Sequence, residues 1–540
     1  MDSRVFVFSS FNECPDFYFS GYCFVSSDYI YGLNGAIQYE KETGHKLSFD
    51  EDGCYALMRR VGDSYLFGSD YSGYNSVFYY HNPYKKIWIV SNSINLIVEL
   101  LKVKGLEFTA NYSQLNAMVL NKNFNYQLNS FNTSVNEIKV LPAHTYLTIN
   151  GNCFSITRCK YNIEEISKLS YQLIVKEFLE MWISRYLTLV SNQDITILQD
   201  LTGGVDSRAM FAINHLANTE VLDRKPSNQK IISRFSRGDA SDYQIAKEIT
   251  DKYDYSLQTS FQDPFKSDCS LENYKAWKNL SLGSYHPIYF PSGKINPFHI
   301  RFNGVAGETY SPFYSSNSKN YHVNKYKDYV SQFNDSFVYD FLYYEYYDNI
   351  AESLSFISKR NPNLNKLILH YNNFRSRFHG GIFPRYTVCL TPLSSKFLSR
   401  ALEVCGKERI MNRQIVYDLI NSVEGLLSLP FDKPSKAPTL FNMENILKLQ
   451  LEFESKVGKC FIGSSSLLIP EKKSNSSDSE IDFLLRDFDS AISKGFVQKF
   501  WGNDLISNAA SIFDHSIHNS QFKHGRDGIL ISAILVSGWF

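Results

Sequence analysis

The residues with the clearest chemical meaning are Asp200–Arg208, which read Asp-Leu-Thr-Gly-Gly-Val-Asp-Ser-Arg. A short β-branched and apolar run at 194–199 precedes them and is typical of a buried strand. The segment 207–217 follows with its apolar residues at helical spacing, and Ser207 is well placed near the helix start. Glycine lets backbone N–H groups approach a phosphate, and the helix N-terminus adds partial positive charge. The strand, turn and helix therefore predict a cradle for a phosphate anion.

The turn supplies several groups suited to phosphate, and the sequence predicts that they bind it: Thr202, Gly203, Gly204, Val205, Asp206 and Ser207. An acidic side chain is badly placed against bare phosphate, so Asp206 implies a bridging cation, for which Mg²⁺ is the best candidate. By average composition, such a string arises by chance in roughly one chain in a thousand of this length. The alternative interpretation is an ordinary strand-to-helix turn in an α/β domain.

Bulk composition argues against several function classes. The 540 residues are enough for two or three domains. The 55 basic and 55 acidic residues cancel, which argues against a nucleic-acid or membrane-surface partner. Nine cysteines without a C-x-x-C pair favour a reducing compartment over disulfides or a zinc site. The first residues lack a signal-peptide layout, and the apolar stretch 528–536 is too short to span a bilayer and predicts a packing helix. We expect a cytoplasmic protein.

The order of the predicted elements indicates an α/β protein. Short strands alternate with Gly, Asn and Asp turns through the first ~160 residues. An amphipathic pattern over 165–190 predicts the first helix of a second domain. A strand at 230–235 and a helix at 241–253 continue the alternation, which predicts a parallel, doubly wound sheet with ligands at the carboxyl ends of its strands. Ser233 is therefore expected among the ligand-binding residues.

The cradle string resembles the SGGxDS pyrophosphate loop of the ATP pyrophosphatase superfamily, whose members split ATP into AMP and pyrophosphate while adenylating a substrate. Thr202 stands where that loop has its first serine, and it keeps the hydroxyl. The resemblance implies that ATP and Mg²⁺ are the ligands of the cradle.

The N-terminal part resembles class II glutamine amidotransferase domains. The residues 67–73 (Phe-Gly-Ser-Asp-Tyr-Ser-Gly), 77–80 and 89–92 resemble the core motifs, and 141–147 resembles the strand pair that closes such a domain. This domain followed by an SGGxDS domain is the layout of the asparagine synthetase family, which β-lactam synthetases and lasso-peptide cyclases share. The resemblance implies two domains: an Ntn-type α+β sandwich over 1–160, and a doubly wound ATP pyrophosphatase domain with extra helices over 165–540.

The N-terminal domain departs from the resemblance at the glutaminase nucleophile. A working glutaminase uses a cysteine at the mature N-terminus, whose α-amine assists its thiolate. Here the second residue is Asp2, and the nearest cysteines, Cys14 and Cys23, lie inside the chain. These two are expected to be small buried apolar residues. We therefore expect a vestigial glutaminase, so that nitrogen enters as a free amine or ammonia.

A second loop, 302–309, is similar to the family's SGxGxDE-like loop, whose acidic residue binds Mg²⁺ on the ATP phosphates. Aligned on Gly304, Glu308 takes the first acidic position and Thr309 the second. The resemblance implies that Asp206 and Glu308 hold Mg²⁺ and that Gly304 lies against the nucleotide, since Mg²⁺ needs only one or two protein carboxylates. The alternative is a surface turn with a solvated Glu308.

The family also has an essential lysine some residues after a Leu-Pro pair, where it neutralises charge on the phosphates and the developing intermediate. The stretch 429–438 offers Lys436, preferred by its spacing, and Lys433 as the alternative. A solvated loop lysine remains the other interpretation of either residue.

The substrate side differs from the family. Val388 and Leu390 replace the Glu and Arg of an E-x-R-x-P stretch, and Val305 replaces a tyrosine that acts in β-lactam synthetases. These replacements argue against aspartate as the substrate and against that cyclisation. Four nearby basic residues either recognise an anionic substrate or form structural ion pairs: Arg375, Arg377, His379 and Arg385.

Together these patterns predict an ATP-dependent amide-forming ligase that adenylates a carboxylate and transfers the acyl group to an amine or ammonia. Its acid would be a small molecule, a sugar acid or a peptide, and a homodimer is the candidate oligomeric state. The alternatives are a glutamine-hydrolysing asparagine synthetase proper and a catalytically inactive scaffold. A tRNA-thiolating enzyme is disfavoured because the chain lacks paired cysteines and a basic face.

Overall fold

The chain folds into mixed α/β structure with antiparallel sheets near its N-terminus and a parallel sheet beyond. The structure, a computed structural model, describes residues 5–120, 123–151, 153–160, 163–234, 240–259, 270–291, 295–311, 313–314, 319–331, 336–359, 364–452, 456–463, 479–518 and 528–540. The α/β class and the parallel sheet predicted from the sequence are confirmed.

The first 160 residues are rich in strands, as predicted. The strands are β1 (Val7–Ser9), β2 (Phe17–Val25), β3 (Asp28–Tyr31), β4 (Asp52–Val61), β5 (Ser64–Ser69), β6 (Phe78–Asn82), β7 (Ile87–Ser91), β8 (Ile138–Val140), β9 (Thr145–Asn150) and β10 (Cys153–Arg158). The helices among them are α1 (Gly32–Thr43), α2 (Ile94–Val103) and α3 (Tyr112–Met118).

These strands form two sheets that pack face to face. The smaller sheet has the order β1-β7-β6-β8, and the larger contains β10-β9-β5-β4-β2-β3. Alternate residues of β4 point to opposite faces: Met58 shares a buried cluster with Trp88 of the smaller sheet, whereas Leu57 joins Ala36 of α1. Because α2 packs against β6 and β7, the layers run helix, sheet, sheet, helix.

The motif at 67–73 ends β5 in a turn built around Asp70. The buried Asp70 carboxylate accepts N–H bonds from Tyr74 and Asn75, each of 2.9 Å. Burial raises the pKa of Asp70 to about 6, although these N–H bonds oppose the shift. From the C-terminal part of the chain, Arg377 donates from Nε to the Gly73 carbonyl at 3.0 Å. The turn is thus a docking point between distant parts of the chain.

The middle of the chain builds the parallel sheet. Its strands are β11 (Thr196–Asp200), β12 (Gln229–Ile232), β13 (Leu257–Gln258), β14 (His299–Phe302) and β15 (Cys389–Leu390), in the order β13-β12-β11-β14-β15. The helices of this region are α4 (Ile163–Ser167), α5 (Tyr171–Val190), α6 (Val205–Leu216), α7 (Ala240–Lys252) and α8 (Ser270–Leu280). All four strand pairings are parallel, so the carboxyl ends of the strands lie at one edge.

Two predicted helix boundaries need correction. The single helix expected over 165–190 is interrupted, because the Ser170 hydroxyl caps a new helix by accepting the Leu173 N–H at 3.1 Å. The helix after the cradle begins at Val205 rather than Ser207, with Gly204 as its N-cap residue. Ser207 therefore lies inside the first helical turn, where its N–H belongs to the groups that lack an intrahelical partner.

Helices dominate the described residues beyond 319, as expected. The α-helices are α9 (Lys319–Val330), α10 (Ser336–Ser358), α11 (Lys366–His370), α12 (Ile382–Tyr386), α13 (Ala401–Val404), α14 (Lys407–Met411), α15 (Gln414–Asn421), α16 (Leu440–Glu444), α17 (Glu480–Ile492), α18 (Gly495–His518) and α19 (Gly528–Ser537). The helical backbone of α18 is broken at Gly502, and Tyr371–Gly380 forms a π-helix between α11 and α12. The packing helix predicted at 528–536 is confirmed as the buried α19. The polar stretch 470–478, whose composition predicts a mobile loop, lies outside the described residues. In the described part of the chain, no helix has the length and apolarity needed to cross a membrane.

One late strand was not predicted. The strand β16 (Cys460–Ile462) pairs in parallel with β3 and completes the larger N-terminal sheet. It therefore crosses the predicted boundary between a domain of 1–160 and one of 165–540, which stays a prediction.

A buried ion pair also joins the two parts of the chain. Arg185 on α5 donates to the Asp52 carboxylate at 2.6 Å and to the Ser26 carbonyl at 2.8 Å. The same carboxylate accepts the Lys396 N–H at 2.7 Å and the Ser395 hydroxyl at 2.8 Å. The fully bonded Asp52 therefore links β4, α5 and the segment after β15.

We expect Arg185→Met to lower the free energy of unfolding by roughly 3–5 kcal/mol, because Asp52 would keep its buried charge without its cation. Urea denaturation followed by circular dichroism measures this loss. The control is Lys247→Met, which breaks an exposed pair with Asp251 and is expected to cost about 0.5 kcal/mol or less. Equal losses in the two variants would contradict the proposed importance of the buried pair.

Candidate functional site

A cavity of about 780 Å³ lies at the carboxyl edge of the parallel sheet. Nine of the ten residues predicted to form a site line it: Thr202, Gly204, Val205, Asp206, Ser207, Ser233, Gly304, Glu308 and Lys436. They come from four separate segments of the chain. Three of these segments follow β11, β12 and β14, whose carboxyl ends lie at this edge, and the fourth carries Lys436.

The cradle is closed by hydroxyl groups. The Ser207 Oγ accepts the Thr202 N–H at 3.1 Å and lies 3.0 Å from the Thr202 Oγ1. The Thr202 Oγ1 in turn accepts the Gly204 N–H at 3.1 Å. These bonds fix the turn from within, which explains why a hydroxyl is needed at position 202. The first-turn N–H groups of α6, on Val205, Asp206 and Ser207, have no acceptor within the helix.

Gly203 is the predicted residue that does not line the cavity. Its N–H donates to the Asp242 carboxylate at 2.9 Å, and a Cβ built on it would lie 2.8 Å from the Asp432 Cβ. The structure therefore places Gly203 behind the cradle, where the missing side chain lets α7 and the segment around Asp432 approach. Sequence reasoning assigned it to phosphate, and here its N–H is already bonded to a carboxylate.

Two glycines of the second loop lie directly against Asp206. A Cβ on Gly304 would lie 2.6 Å from the Ser207 backbone nitrogen. A Cβ on Gly307 would lie 2.1 Å from a carboxylate oxygen of Asp206. A side chain at Gly304 would displace the backbone of the cradle, and one at Gly307 would displace the Asp206 carboxylate. The second loop therefore closes over the start of α6 and brings Glu308 towards Asp206.

The electrostatics of the site centre on Asp206. Burial, and then the negative charge of Glu308, raise the pKa of Asp206 to about 7, while Arg413 and Lys436 oppose the shift. The Glu308 Oε2 accepts the Ser311 hydroxyl at 2.5 Å and an Arg413 N–H at 3.3 Å. Two carboxylates close enough to repel each other, at the mouth of a phosphate cradle, are suited to share a cation.

Lys436 reaches the cavity and Lys433 does not line it. The Lys436 Nζ donates to the Asp432 carboxylate at 2.9 Å. The backbone carbonyl of Lys436 accepts a hydrogen bond from the Tyr417 hydroxyl at 2.9 Å. A Cβ on Gly204 would lie 3.8 Å from that Nζ. The lysine preferred by spacing is thus the one beside the cradle.

Two buried polar atoms in the cavity wall have no partner among the described residues. They are the Ser233 Oγ and the Asn296 Nδ2, on side chains that are 3% and 7% exposed. A buried polar group without a hydrogen bond is costly, so these atoms are suited to a polar ligand. Ser233 was predicted as a ligand-binding residue, and Asn296 was not.

Sequence reasoning also missed the network below the cradle. Asp200 ends β11, and its carboxylate accepts two Arg301 N–H groups at 2.6 Å each and the Asn303 amide at 2.9 Å. The bonds tie β11 to β14 and to the start of the second loop. Asp200 is an acidic residue directly before the cradle, and this position is a signal from which its role could have been predicted.

The four basic residues considered for substrate recognition do not line the cavity. Arg377 donates to the Gly73 and Leu141 carbonyls, and Arg385 to the Gly381 and Phe378 carbonyls. Two others bond to polar side chains, Arg375 to Gln127 and His379 to Tyr285. The structure therefore gives no support to substrate binding at this cavity by these residues, whose hydrogen bonds run to other parts of the protein. Their partners are carbonyls and neutral side chains rather than the acidic groups of an ion pair.

The predicted character of the N-terminal cysteines agrees with the structure. Cys14 and Cys23 are 6% and 0% exposed. Burial raises the pKa of both thiols above the ordinary value, which makes them poor nucleophiles. Among the described residues, no group of three His, Cys, Asp or Glu side chains is placed to hold a metal. Asp206 and Glu308 form a pair, which suffices for Mg²⁺ only together with phosphate and water oxygens.

Comparison with known proteins gives no further assignment. No protein-family model matches the chain, and no curated protein matches it. The features of the chain that bear on function are the cradle, the carboxylate pair and the lysine, which line one cavity.

We expect Gly307→Ala to weaken binding of a Mg²⁺–nucleotide at least about 100-fold, because the new methyl group would displace the Asp206 carboxylate. Titration calorimetry with a non-hydrolysable ATP analogue measures the affinity. Gly495→Ala is the matched control, since a Cβ there meets nothing within 4 Å. Similar affinities in both variants would show that the close approach of Gly307 has no functional consequence.

The raised pKa of Asp206 also predicts a pH-dependent stability. The folded chain holds an extra proton between about pH 4, near the usual aspartate pKa, and pH 7, so stability falls as pH rises through this window. Asp206→Asn removes the ionisable group and therefore this loss of stability. We expect the free energy of unfolding of the variant to exceed that of the parent protein by at least about 1 kcal/mol at pH 8, and by less at pH 5. Urea denaturation at both pH values checks this difference. The exposed Asp63, changed to Asn, should show no such gain, and a pH-independent effect of Asp206→Asn would refute the assignment.

Proposed function

We propose that the protein is an ATP-dependent ligase that adenylates a carboxylate, releases pyrophosphate and transfers the acyl group to an amine or ammonia. The observation that carries the proposal is the single cavity in which the cradle of Thr202–Ser207, the carboxylates of Asp206 and Glu308, and Lys436 face one another. A phosphate loop, a pair of carboxylates that can hold Mg²⁺ and a positively charged lysine are together suited to bind nucleotide phosphates.

The fold supports an ATP pyrophosphatase-type domain. The cradle follows β11, the middle strand of a parallel sheet ordered β13-β12-β11-β14-β15. The second loop follows β14, which is the neighbour of β11. Ligands in such sheets bind where adjacent strands lead to opposite sides, and the cavity lies at that point. The helix–sheet–sheet–helix layers of the first 160 residues support the proposed Ntn-type sandwich.

The charged residues of the cavity would each have a different role in binding the nucleotide. Bound Mg²⁺ would neutralise phosphate charge, held by Asp206 and Glu308 together with phosphate oxygens. The raised pKa of Asp206 fits this role, because a bound cation would take the place of the proton that Asp206 holds below about pH 7. Lys436 would neutralise the phosphates from the side of Gly204, while Arg413 would balance Glu308. The Ser207 side of the cradle would bind pyrophosphate through the first-turn N–H groups of α6.

In the proposed reaction, a carboxylate oxygen attacks the α-phosphorus of ATP and pyrophosphate leaves. The amine nitrogen then attacks the acyl carbon, loses a proton to solvent and displaces AMP. The protein contributes positioning and charge neutralisation, which together account for most of the catalysis in phosphoryl-group chemistry. Val305 and Val388 line the cavity, so its wall is apolar where charged groups would bind aspartate. This supports a different acid, such as a sugar acid or a peptide.

The proposal predicts tight, metal-dependent nucleotide binding. We expect a non-hydrolysable ATP analogue with Mg²⁺ to bind the parent protein and not Asp206→Asn. Because Mg²⁺ needs the ionised carboxylate, affinity should fall about tenfold per pH unit below pH 7. Titration calorimetry in buffers of different protonation enthalpy measures both the affinity and the proton released. Equal binding by the parent and Asp206→Asn would refute the site, and absence of binding by both would favour an inactive scaffold.

The proposal also separates the two lysines. We expect Lys436→Met to lower acyl-adenylate formation roughly 100- to 1,000-fold, as for the loss of a charge-stabilising group. Hydroxylamine, used as the amine with a panel of carboxylic acids, reports this step as hydroxamate and AMP. Lys433→Met is the matched control and should keep the parent's rate, since Lys433 does not line the cavity. Equal losses in the two variants would contradict the role of Lys436.

A further inference from the structure

Arg208, the last residue of the cradle string, has no role in the function proposed above. It lies on α6 directly after Ser207, and its side chain is fully buried. Burial lowers the pKa of its guanidinium to about 10. A buried charge is costly unless it is well bonded, so its partners show what it stabilises.

All four close partners of the guanidinium belong to one short segment, 426–431. Its Nη1 donates to the carbonyls of Leu426 at 3.2 Å and Leu429 at 2.9 Å, and its Nη2 donates to the Pro430 carbonyl. The guanidinium carbon lies 3.8 Å from the centre of the Phe431 ring. A planar group with several fixed donors is suited to bind several carbonyls at once, which a lysine is not.

The segment bound by Arg208 leads directly to the site lysine. The Asp432 N–H donates to the Gly203 carbonyl at 3.1 Å, which ties the segment to the cradle a second time. The Asp432 carboxylate then accepts the Lys436 Nζ at 2.9 Å. Cradle and lysine are therefore connected through Arg208 at one end and Asp432 at the other.

We infer that Arg208 is a positioning residue: it holds segment 426–431 against α6 and thereby sets the distance between Lys436 and the phosphate cradle. The structural part of this inference depends on the contacts alone, and its effect on nucleotide binding rests on the proposed function. It explains why a positive charge is buried immediately behind a phosphate loop without facing the cavity.

The first test is hydrogen exchange measured by mass spectrometry. Arg208→Lys keeps the charge and loses the multiple carbonyl contacts, so amides of 426–436 should exchange at least about tenfold faster in a protein that is still folded. Arg377→Lys is the matched control, because Arg377 is also a buried arginine bonded to carbonyls, and it should leave 426–436 unchanged. Unchanged exchange in Arg208→Lys would overturn the inference. If that variant does not fold, Phe431→Leu removes the ring contact instead.

The second test asks whether Arg208 acts through Lys436. Affinity for Mg²⁺ and a non-hydrolysable ATP analogue is measured for the parent, Arg208→Lys, Lys436→Met and the double variant. We expect Arg208→Lys alone to weaken binding roughly tenfold and to have no further effect when Lys436 is already absent. Additive losses would overturn the link to Lys436. If the parent protein does not bind the analogue, the proposed function fails, and hydrogen exchange still decides whether Arg208 holds the segment.

Discussion

The site depends on the lack of side chains at Gly304 and Gly307, which lets the second loop touch the start of α6. With 2.1 Å between a Cβ on Gly307 and the Asp206 carboxylate, any other residue at this position would push that carboxylate away. This contact lies against the Asp206 carboxylate and places Glu308 near it, and desolvation together with the charge of Glu308 raises the pKa of Asp206. The acidic pair is thus unfavourable by itself, and the surrounding sheet, with its Asp200–Arg301 pair, holds it in place.

Buried arginines provide much of this support. Arg185 joins α5 to the N-terminal sheet, Arg377 holds the turn at Asp70, and Arg208 holds the segment before Lys436. Each binds backbone carbonyls, and only Arg185 also forms an ion pair. Carbonyl groups in loops need donors once they are buried, and one guanidinium satisfies several of them. In the described part of the chain, the turns at Ser26 and Gly73 and the segment 426–431 are thus each held by a buried arginine.

The sequence was sufficient where a local pattern determines the structure. The strand at β11, the glycine turn and α6 follow from residues within one stretch, and nine of the ten predicted site residues line one cavity. The placement of Arg377, Arg385 and Gly203 could not be predicted for one shared reason, because long-range contacts leave no local pattern. Arg377 and Arg385 were considered for substrate binding, since nothing nearby shows that they bond to distant carbonyls. The N–H bond between Gly203 and Asp242 joins positions 39 residues apart.

The pairing of β16 with β3 also bears on how the chain folds during synthesis. The edge of β3 stays open until residue 462 has left the ribosome, which takes roughly 20–90 s after β3 itself at 5–20 residues per second. An exposed strand edge is a template for pairing with other chains. The nascent protein therefore passes through a period in which its first sheet can recruit a neighbouring polypeptide, and truncation before Cys460 would make that period permanent.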